Sequence, residues 1–339
     1  MKLYGGIDLH GDNSVIALVD EEDGVTYQRR VTNDLSRILE ELAPYQSSIT
    51  GLAVESTFNW YWLVDGLMAA SYRVHLANPA AMQQYQGLKY TDDKYDARWL
   101  ARMLRLGVLP EGYIYPKEER GVRDLLRKRA QMVRYRTANL LSVENLYNRN
   151  TGRRLRSSEV KKLSLAEAGC LFSATDLNLA VQCNVAVMSC VEEQIGVLER
   201  AVKERTKLRP EYRKLLSTPG IGPILGLTIM LETGDIRRFP RVGDFASYCR
   251  CVGSTRWSNG KQKGKGNSKN GNKYLGWAFV EAANFAIRYS PSIQQYYQRK
   301  KAKTKGVVAI KAVAHKLARA CYYVMRDQVA FNVTRAFSG

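Results

Sequence analysis

The feature that most constrains the fold is the alternation of short apolar runs with helix-period stretches over residues 3–104. Residues 3–8 (LYGGID), 14–20 (SVIALVD) and 25–31 (VTYQRRV) are each strand-length, and turn-forming HGDN and EEDG separate them. That pattern predicts a meander with Asp8 inside or at the end of its first strand. Residues 33–43 place Leu35, Ile38, Leu39 and Leu42 at helical spacing, behind Asn33 or Asp34 as a cap. Residues 49–55 (ITGLAVE) read as a buried strand ending in Glu55, 58–71 as an aromatic helix, and 72–77 (YRVHLA) as another strand. After the Asn78-Pro79 turn, Tyr90–Leu104 (YTDDKYDARWLARML) sets Ala97, Leu100, Ala101 and Leu104 in one apolar stripe, which predicts a docked helix.

Three strands, helix, strand, helix, strand, helix is an α/β layer order. It matches a ribonuclease-H-like fold, which carries acids on its first strand, its fourth strand and a later helix. Asp8, Glu55 and the pair Asp93/Asp96 fall in those places. Residues at i and i+3 share a helix face, so both carboxylates of the pair point one way. Each acid also has an ordinary explanation. First-turn acids favour the helix dipole, Asp8 can face solvent at a strand end, and Glu55 can cap the segment after it. Together they form a constellation, because a buried carboxylate costs several kcal/mol unless paired or liganded. Mg2+, or Mn2+ in its place, offsets that cost and polarises a phosphodiester for attack. His10 reads as a turn residue.

Charge narrows the partner. The 339 residues hold 52 Lys+Arg against 32 Asp+Glu, a net +20. Residues 1–66 carry net −7, which leaves +27 for the remainder. An excess of that size points to a polyanion, nucleic acid before an anionic membrane. No signal-peptide core and no charge-free window of membrane length is present, so a cytoplasmic protein without a membrane partner is expected. The six cysteines lack paired CxxC spacing and read as reduced, mostly buried thiols. Histidines 10, 75 and 315 are too scattered for a zinc site.

Residues 118–150 read as a basic helix, with Arg120, Arg123, Arg127, Lys128, Arg129, Arg134 and Arg136. Val181, Val185, Met188, Val191, Ile195, Leu198 and Val202 form a near-heptad seam. The two predict an antiparallel hairpin over 118–207 that packs within the chain or builds a dimer. Leu208-Arg209-Pro210 marks a boundary, giving domains 1–116, 117–207 and 208–339. In LLSTPGIGPILGLTIMLE, Gly220 and Gly222 sit between helical segments as in a helix-hairpin-helix, whose amides can face a DNA phosphate. Residues 254–275 form an acid-free glycine–lysine stretch with Arg256, Lys261, Lys263, Lys265, Lys269 and Lys273 suited to a phosphate chain. Ser258 stands at its entrance, where cations can stabilise an attacking alkoxide; Ser254 and Ser268 are equal rivals on chemistry alone. Residues 273–288 are expected to pack through Trp277, Phe279, Ala282 and Phe285, and 307–326 through Val308, Val313, Leu317, Ala320 and Val324. Between them RKKAKTK is a solvated face by default and a phosphate contact given the net charge.

GIDLH, AVES, NPA, TDDKYDA, STPGIGP, GDIRRF, RWSNGK and GNKYL, in that order, resemble the DEDD-type insertion-sequence transposases of the IS one-ten family, which include the Piv-type DNA invertases. The resemblance covers nearly the whole chain and is weakest over the middle hairpin. It implies a RuvC-like domain, a coiled-coil-like helical linker and a mainly α transposase domain. The family's metal-binding acids fall on Asp8, Glu55, Asp93 and Asp96, and its catalytic serine on Ser258. The family motif has threonine where Asp92 stands, which leaves Asp92 and Asp93 as rivals, and Asn259 intervenes between Ser258 and Gly260. The resemblance further implies a bacterial, nucleoid-associated recombinase acting on donor and target DNA through a phosphoserine. A noncoding bridge RNA would guide it, and homodimers would assemble into a homotetramer with sites shared between subunits. A RuvC-like nuclease using the acids alone, a non-catalytic nucleic-acid scaffold and an actin-like phosphotransferase are the competing readings.

Overall fold

The computed structural model describes residues 1–82, 92–206, 208–253, 255–265 and 270–337. The chain divides into two compact units, residues 1–117 and 118–339. Unit 1 is one sheet with helices. β1 (Leu3–Leu9), β2 (Asn13–Val19) and β3 (Val25–Thr32) precede α1 (Leu35–Leu42), β4 (Ile49–Glu55), α2 (Tyr61–Ala69), β5 (Val74–Ala77) and α3 (Asp93–Arg105). The strand order is β3-β2-β1-β4-β5. β1, β2 and β3 pair antiparallel, whereas β1, β4 and β5 run parallel. Asp34 is the α1 cap, its carboxylate accepting from the amides of Ser36 and Arg37.

The two sheet faces differ in side-chain size. Ile7, Leu9, Ile16, Leu18, Leu52 and Val54 join Ile38, Leu42, Leu63 and Leu67 in the larger core. The opposite face carries Gly6, Val15, Ala17, Ala53 and Ala77, and the buried stripe of α3 (Ala97, Leu100, Ala101) packs on it. Small residues there let α3 lie directly on the strands. A Cβ on Gly6 would stand 2.0 Å from the Ala97 carbonyl oxygen and 2.7 Å from the Ala101 nitrogen. Polar contacts fix both ends of α3. Arg30 pairs with Asp93 and Gln28 donates to the Lys94 carbonyl at the start, and Arg105 forms a two-pronged pair with Asp23 at the end.

Unit 2 is mainly helical: α4 (Lys117–Thr151), α5 (Ser157–Val160), α6 (Leu165–Ala168), α7 (Thr175–Arg205), α8 (Pro210–Leu215), α9 (Pro223–Thr233) and α10 (Val242–Tyr248). A hairpin of β6 (Thr255–Ser258) and β7 (Lys261–Lys265) follows, then α11 (Lys273–Tyr289), α12 (Pro291–Lys301), α13 (Gly306–Asp327) and α14 (Val333–Phe337). Arg129 pairs with Glu199 and Arg136 with Glu192, while Leu140 and Val143 cluster with Val181, Val185 and Met188, so α4 and α7 run antiparallel. The near-heptad seam is therefore buried within the chain. α9 is buried from Leu225 to Thr233, including Glu232. Arg123 and Arg127 pair with Glu232, and Asn272 donates to it. Those partners outweigh burial and hold the Glu232 carboxyl below its ordinary range.

Several expectations need correction. Trp277 and Phe285 lie on the outer side of α11, and Leu275, Ala278, Phe279, Ala282 and Ala286 pack inward. Val308 is likewise exposed. Cys170, Cys183 and Cys190 are exposed, against a reading of mostly buried thiols. Part of the glycine–lysine stretch is a β-hairpin, because Asn259 (φ 50°) and Gly260 (φ 70°) form a two-residue turn with both residues left-handed, which matches strand twist.

The α3 contact predicts the cost of filling it. Gly6→Val should destabilise unit 1 by about 3 kcal/mol through overpacking against backbone. Gly121→Ala, in α4 where a Cβ meets nothing, should instead stabilise by roughly 0.5–1 kcal/mol. Urea unfolding midpoints of the two variants check both signs.

Candidate active site

The acids converge because three elements end at one edge of unit 1. On a strand, alternate residues share a face, so Asp8 follows Gly6 on the face that α3 covers. Ile7 lies beside Val54 in the parallel β1–β4 pair, which brings Asp8 and Glu55 to the same strand ends. Asp8 is 4% exposed and hydrogen-bonds to Glu55. Burial, then that hydrogen bond, then the fields of Asp8 and Asp96 push the Glu55 carboxyl up to about 7. Asp93 and Asp96 occupy the first turn of α3. The Arg30 guanidinium, with smaller contributions from the His10 and Arg30 charges, holds the Asp93 carboxyl below its ordinary range.

His10 stands between the acids. Its Nε2 lies 3.1 Å from Asp8 and 3.4 Å from Asp93, without an aligned hydrogen bond to either. Its carbonyl accepts from the side-chain amides of Asn33 and Asn59, which hold the turn in place. Asp92 does something different: as the α3 N-cap, its carboxylate accepts from the Tyr95 amide at 2.8 Å. A cavity of about 390 Å³ lined by Glu55, Pro79, Met82, Asp96, Trp99 and Leu100 adjoins the acids.

In unit 2, Ser258 is exposed at the end of β6, and its register partner is Lys261. Lys261 and Lys263 are exposed on β7, and Lys273 begins α11 with its ammonium 5.2 Å from the Tyr274 ring. The stems of this region are anchored. Asn272 caps α11, its amide nitrogen donates to the Tyr248 carbonyl, and Arg250 donates to the Gly271 carbonyl. Gly220 (φ 85°) lies against α11, where a Cβ would stand 2.1 Å from the Ala282 oxygen, while Gly222 is the open N-cap of α9. Tyr90, Thr91, Ser254, Ser268 and Lys269 lie outside the described residues, as do the side chains of Arg256 and Lys265.

Comparison with known proteins gives this arrangement its context. A transposase family of DEDD type, named for IS110, matches residues 5–147, which contain all four acids. The transposase IS116/IS110/IS902 family matches residues 212–298, which contain Ser258. The chain belongs to the IS110 family of transposases. The transposase is 23% identical to a probable family 20 transposase of Pseudomonas aeruginosa, over 96% of this chain and 98% of that protein. It is 23% identical to the transposase for insertion sequence element IS1111A of Coxiella burnetii, over 84% of this chain and 78% of the relative. The mini-circle putative transposase for IS117 of Streptomyces coelicolor is 32% identical over 31% of this chain and 25% of its own length. No helix among the described residues of this enzyme is long and apolar enough to cross a membrane.

A DEDD transposase implies a divalent metal, and the residues present fit one. One ligand atom each of Asp8, His10 and Asp93 lie within 4.8 Å of one another. The unaligned His10 nitrogen and the Asp8–Glu55 hydrogen bond belong to a donor set whose mutual repulsion a cation relieves. The sequence reading did not include His10 or Arg30 in this group. His10 was detectable in principle, two residues beyond Asp8 and on the same side of the chain. Arg30 has no such local signal, since it reaches Asp93 across the sheet.

The Glu55 shift predicts a pH effect. Unfolded, its carboxyl ionises near 4.5; folded, near 7. Its contribution to stability is therefore present below 4.5 and lost as pH rises toward 7. The metal-free enzyme should lose melting temperature across that interval, Glu55→Gln should lose less, and a divalent cation should restore wild type. Thermal unfolding in chelator at several pH values, with and without added cation, measures all three.

Proposed function

We propose that this transposase cleaves and rejoins DNA strands through a Ser258 nucleophile, with Mg2+ held by Asp8, Glu55, Asp93 and Asp96. The observation that carries the reading is the convergence of those acids from β1, β4 and α3, where unit 1 buries Asp8 and gathers the others around it. The strand order β3-β2-β1-β4-β5 supports an RNase H-like domain of the RuvC type. Use of Asp92 as the helix cap and of Asp93 toward His10 supports Asp93 as the ligand. The α8–turn–α9 segment supports a helix-hairpin-helix, with the open Gly222 end of α9 toward a phosphate.

When bound, the metal supplies Lewis-acid polarisation of the scissile phosphate. Asp8, Glu55, Asp93 and Asp96 orient it, and Arg30 keeps Asp93 ionised. Ser258 Oγ attacks the phosphorus. A serine–phosphate ester forms as the bond to one sugar oxygen breaks, and that oxygen takes up a proton. Attack by a hydroxyl of the partner strand on the phosphoserine then releases the serine and joins the strands. Lys261, opposite Ser258 in the hairpin, favours the serine alkoxide and the charged transition state. Arg256, Lys263, Lys265, Lys269 and Lys273 follow the DNA backbone. In this reading the acids of one subunit serve Ser258 of another, in homodimers that assemble into a tetramer. A bridge RNA pairs with donor and target, which suits a cation-rich hairpin that reads phosphate and not bases.

The test is incubation with donor DNA, target DNA, Mg2+ and the element's RNA, followed by denaturing electrophoresis. A covalent protein–DNA adduct is expected for wild type and should fall by at least about a hundredfold in Ser258→Ala. Strand cleavage with no adduct would instead establish a nuclease acting through the acids alone.

A further inference from the structure

The C-terminal end of unit 2 builds a cationic pocket whose lining, Tyr296 apart, lies beyond both matched family regions. α13 presents His315, Lys316, Arg319 and Tyr323 along one side, at spacings that share a helix face. Gln328 (φ 55°) reverses the chain in a left-handed turn, and residues 329–336 return across that face. The return is fixed in several places. The Phe331 amide donates to Ser217 Oγ, Asn332 Oδ1 accepts from the Arg335 amide, and Phe337 is buried edge-on against Tyr296. Lys316 Nζ donates to the Ala336 carbonyl at 3.0 Å and lies 5.0 Å from the Tyr296 ring.

The cavity between them is about 440 Å³, within the range of about 300–1,000 Å³ usual for small-ligand sites. Its described lining holds His315, Lys316, Arg319 and Arg335 and no acid. Asp327, whose field reaches Arg335, is already bound by Arg326 through both oxygens. His315, Lys316 and Arg319 therefore feel one another's charge. Burial, then Arg319 and Lys316, lowers the His315 pKa. Burial, then Lys300, Arg299 and Arg319, lowers that of Lys316. Holding like charges around a shaped cavity costs folding free energy, and an anion in the cavity offsets that repulsion with an attraction to each cation. Guanidinium groups select phosphate among anions by two-pronged hydrogen bonding. Tyr296, Tyr323 and Phe331 add aromatic wall beside the cations, which suits the sugar and base attached to such a phosphate.

We propose that this pocket binds the phosphate of a nucleotide unit, supplied by a nucleic-acid strand, and is a contact separate from the Ser258 hairpin. The source of the phosphate rests on the DNA-handling reading; the pocket's chemistry does not. The test uses full-length protein stripped of nucleic acid by high salt. In one arm a labelled single-stranded oligonucleotide is titrated by fluorescence anisotropy over a salt series. In the other, AMP is titrated by calorimetry.

Arg319→Ala/Arg335→Ala should weaken oligonucleotide binding about tenfold at low salt and reduce the log–log salt slope by about one. Arg335→Glu alone, at an exposed position, should do the same with an unchanged melting temperature, which separates lost binding from lost folding. Loss in either arm supports the site: in the oligonucleotide arm it names a strand as the source, and in the AMP arm alone a free nucleotide. Wild-type-like binding by both folded variants in both arms would overturn the proposal. Neither arm needs strand cleavage, so failure of the Ser258 mechanism and failure of this pocket are separately visible.

Discussion

Everything at the candidate site depends on how closely α3 can approach β1. The helix backbone lies where the Cβ of residue 6 would be, 2.0 Å from the Ala97 oxygen. Only glycine permits that separation. Ala17, Ala53 and Ala97 extend the close contact to neighbouring strands. With α3 set at that depth, its first turn reaches the strand ends that carry Asp8 and Glu55. The polar contacts at the two ends of α3 then fix its direction, so Asp93 meets Asp8 beside His10, and Glu55, bonded to Asp8, feels the field of Asp96, an arrangement that a metal-free protein holds at a cost. The raised Glu55 pKa is the visible part of that cost.

The positive charge of the chain is not all available to a ligand. Arg123 and Arg127 are turned onto buried Glu232, and Arg129 and Arg136 onto acids of α7. A buried pair broken on one side costs about 3–5 kcal/mol, so Arg123 and Arg127 serve the packing of α4 on buried Glu232, and Arg129 and Arg136 join α4 to α7 through more exposed pairs. Glu232 also accepts from Asn272, which caps α11 directly after the glycine–lysine stretch. The base of that stretch is thus tied to the core, while Lys261 and Lys263 remain exposed. Net charge alone identifies a polyanion as partner, and the pairing pattern shows which cations remain for it.

Local patterning was enough to read unit 1. The five strands, three helices and the placement of Asp8, Glu55, Asp93 and Asp96 follow from run length, periodicity and turn residues, all of which are local properties. Pairings made across the sheet or between helices were not legible. Arg30 reaches Asp93 from another strand, and nothing near residue 30 announces it. His10 looked like a turn residue because its neighbours are turn formers, although its position two residues beyond Asp8 places it beside the acids. The Asn259-Gly260 turn was a legible hairpin signal, outweighed by the lysines and glycines around it. Trp277, Phe285 and Val308 were assigned inward because they are apolar, yet the inner side of α11 is filled largely by alanine, and in α13 Ala309 and Val313 take the inward positions beside Val308.

The central claim is that α3, docked at Gly6, aims Asp93 and not Asp92 at the metal site. Calorimetric titration of Mn2+ into Asp93→Asn and Asp92→Asn tests it most directly. Asparagine caps a helix about as well as aspartate, so Asp92→Asn keeps α3 intact. The structure predicts wild-type-like Mn2+ affinity for Asp92→Asn and a loss of about tenfold or more for Asp93→Asn. The reverse order, or equal losses in both, would contradict the account.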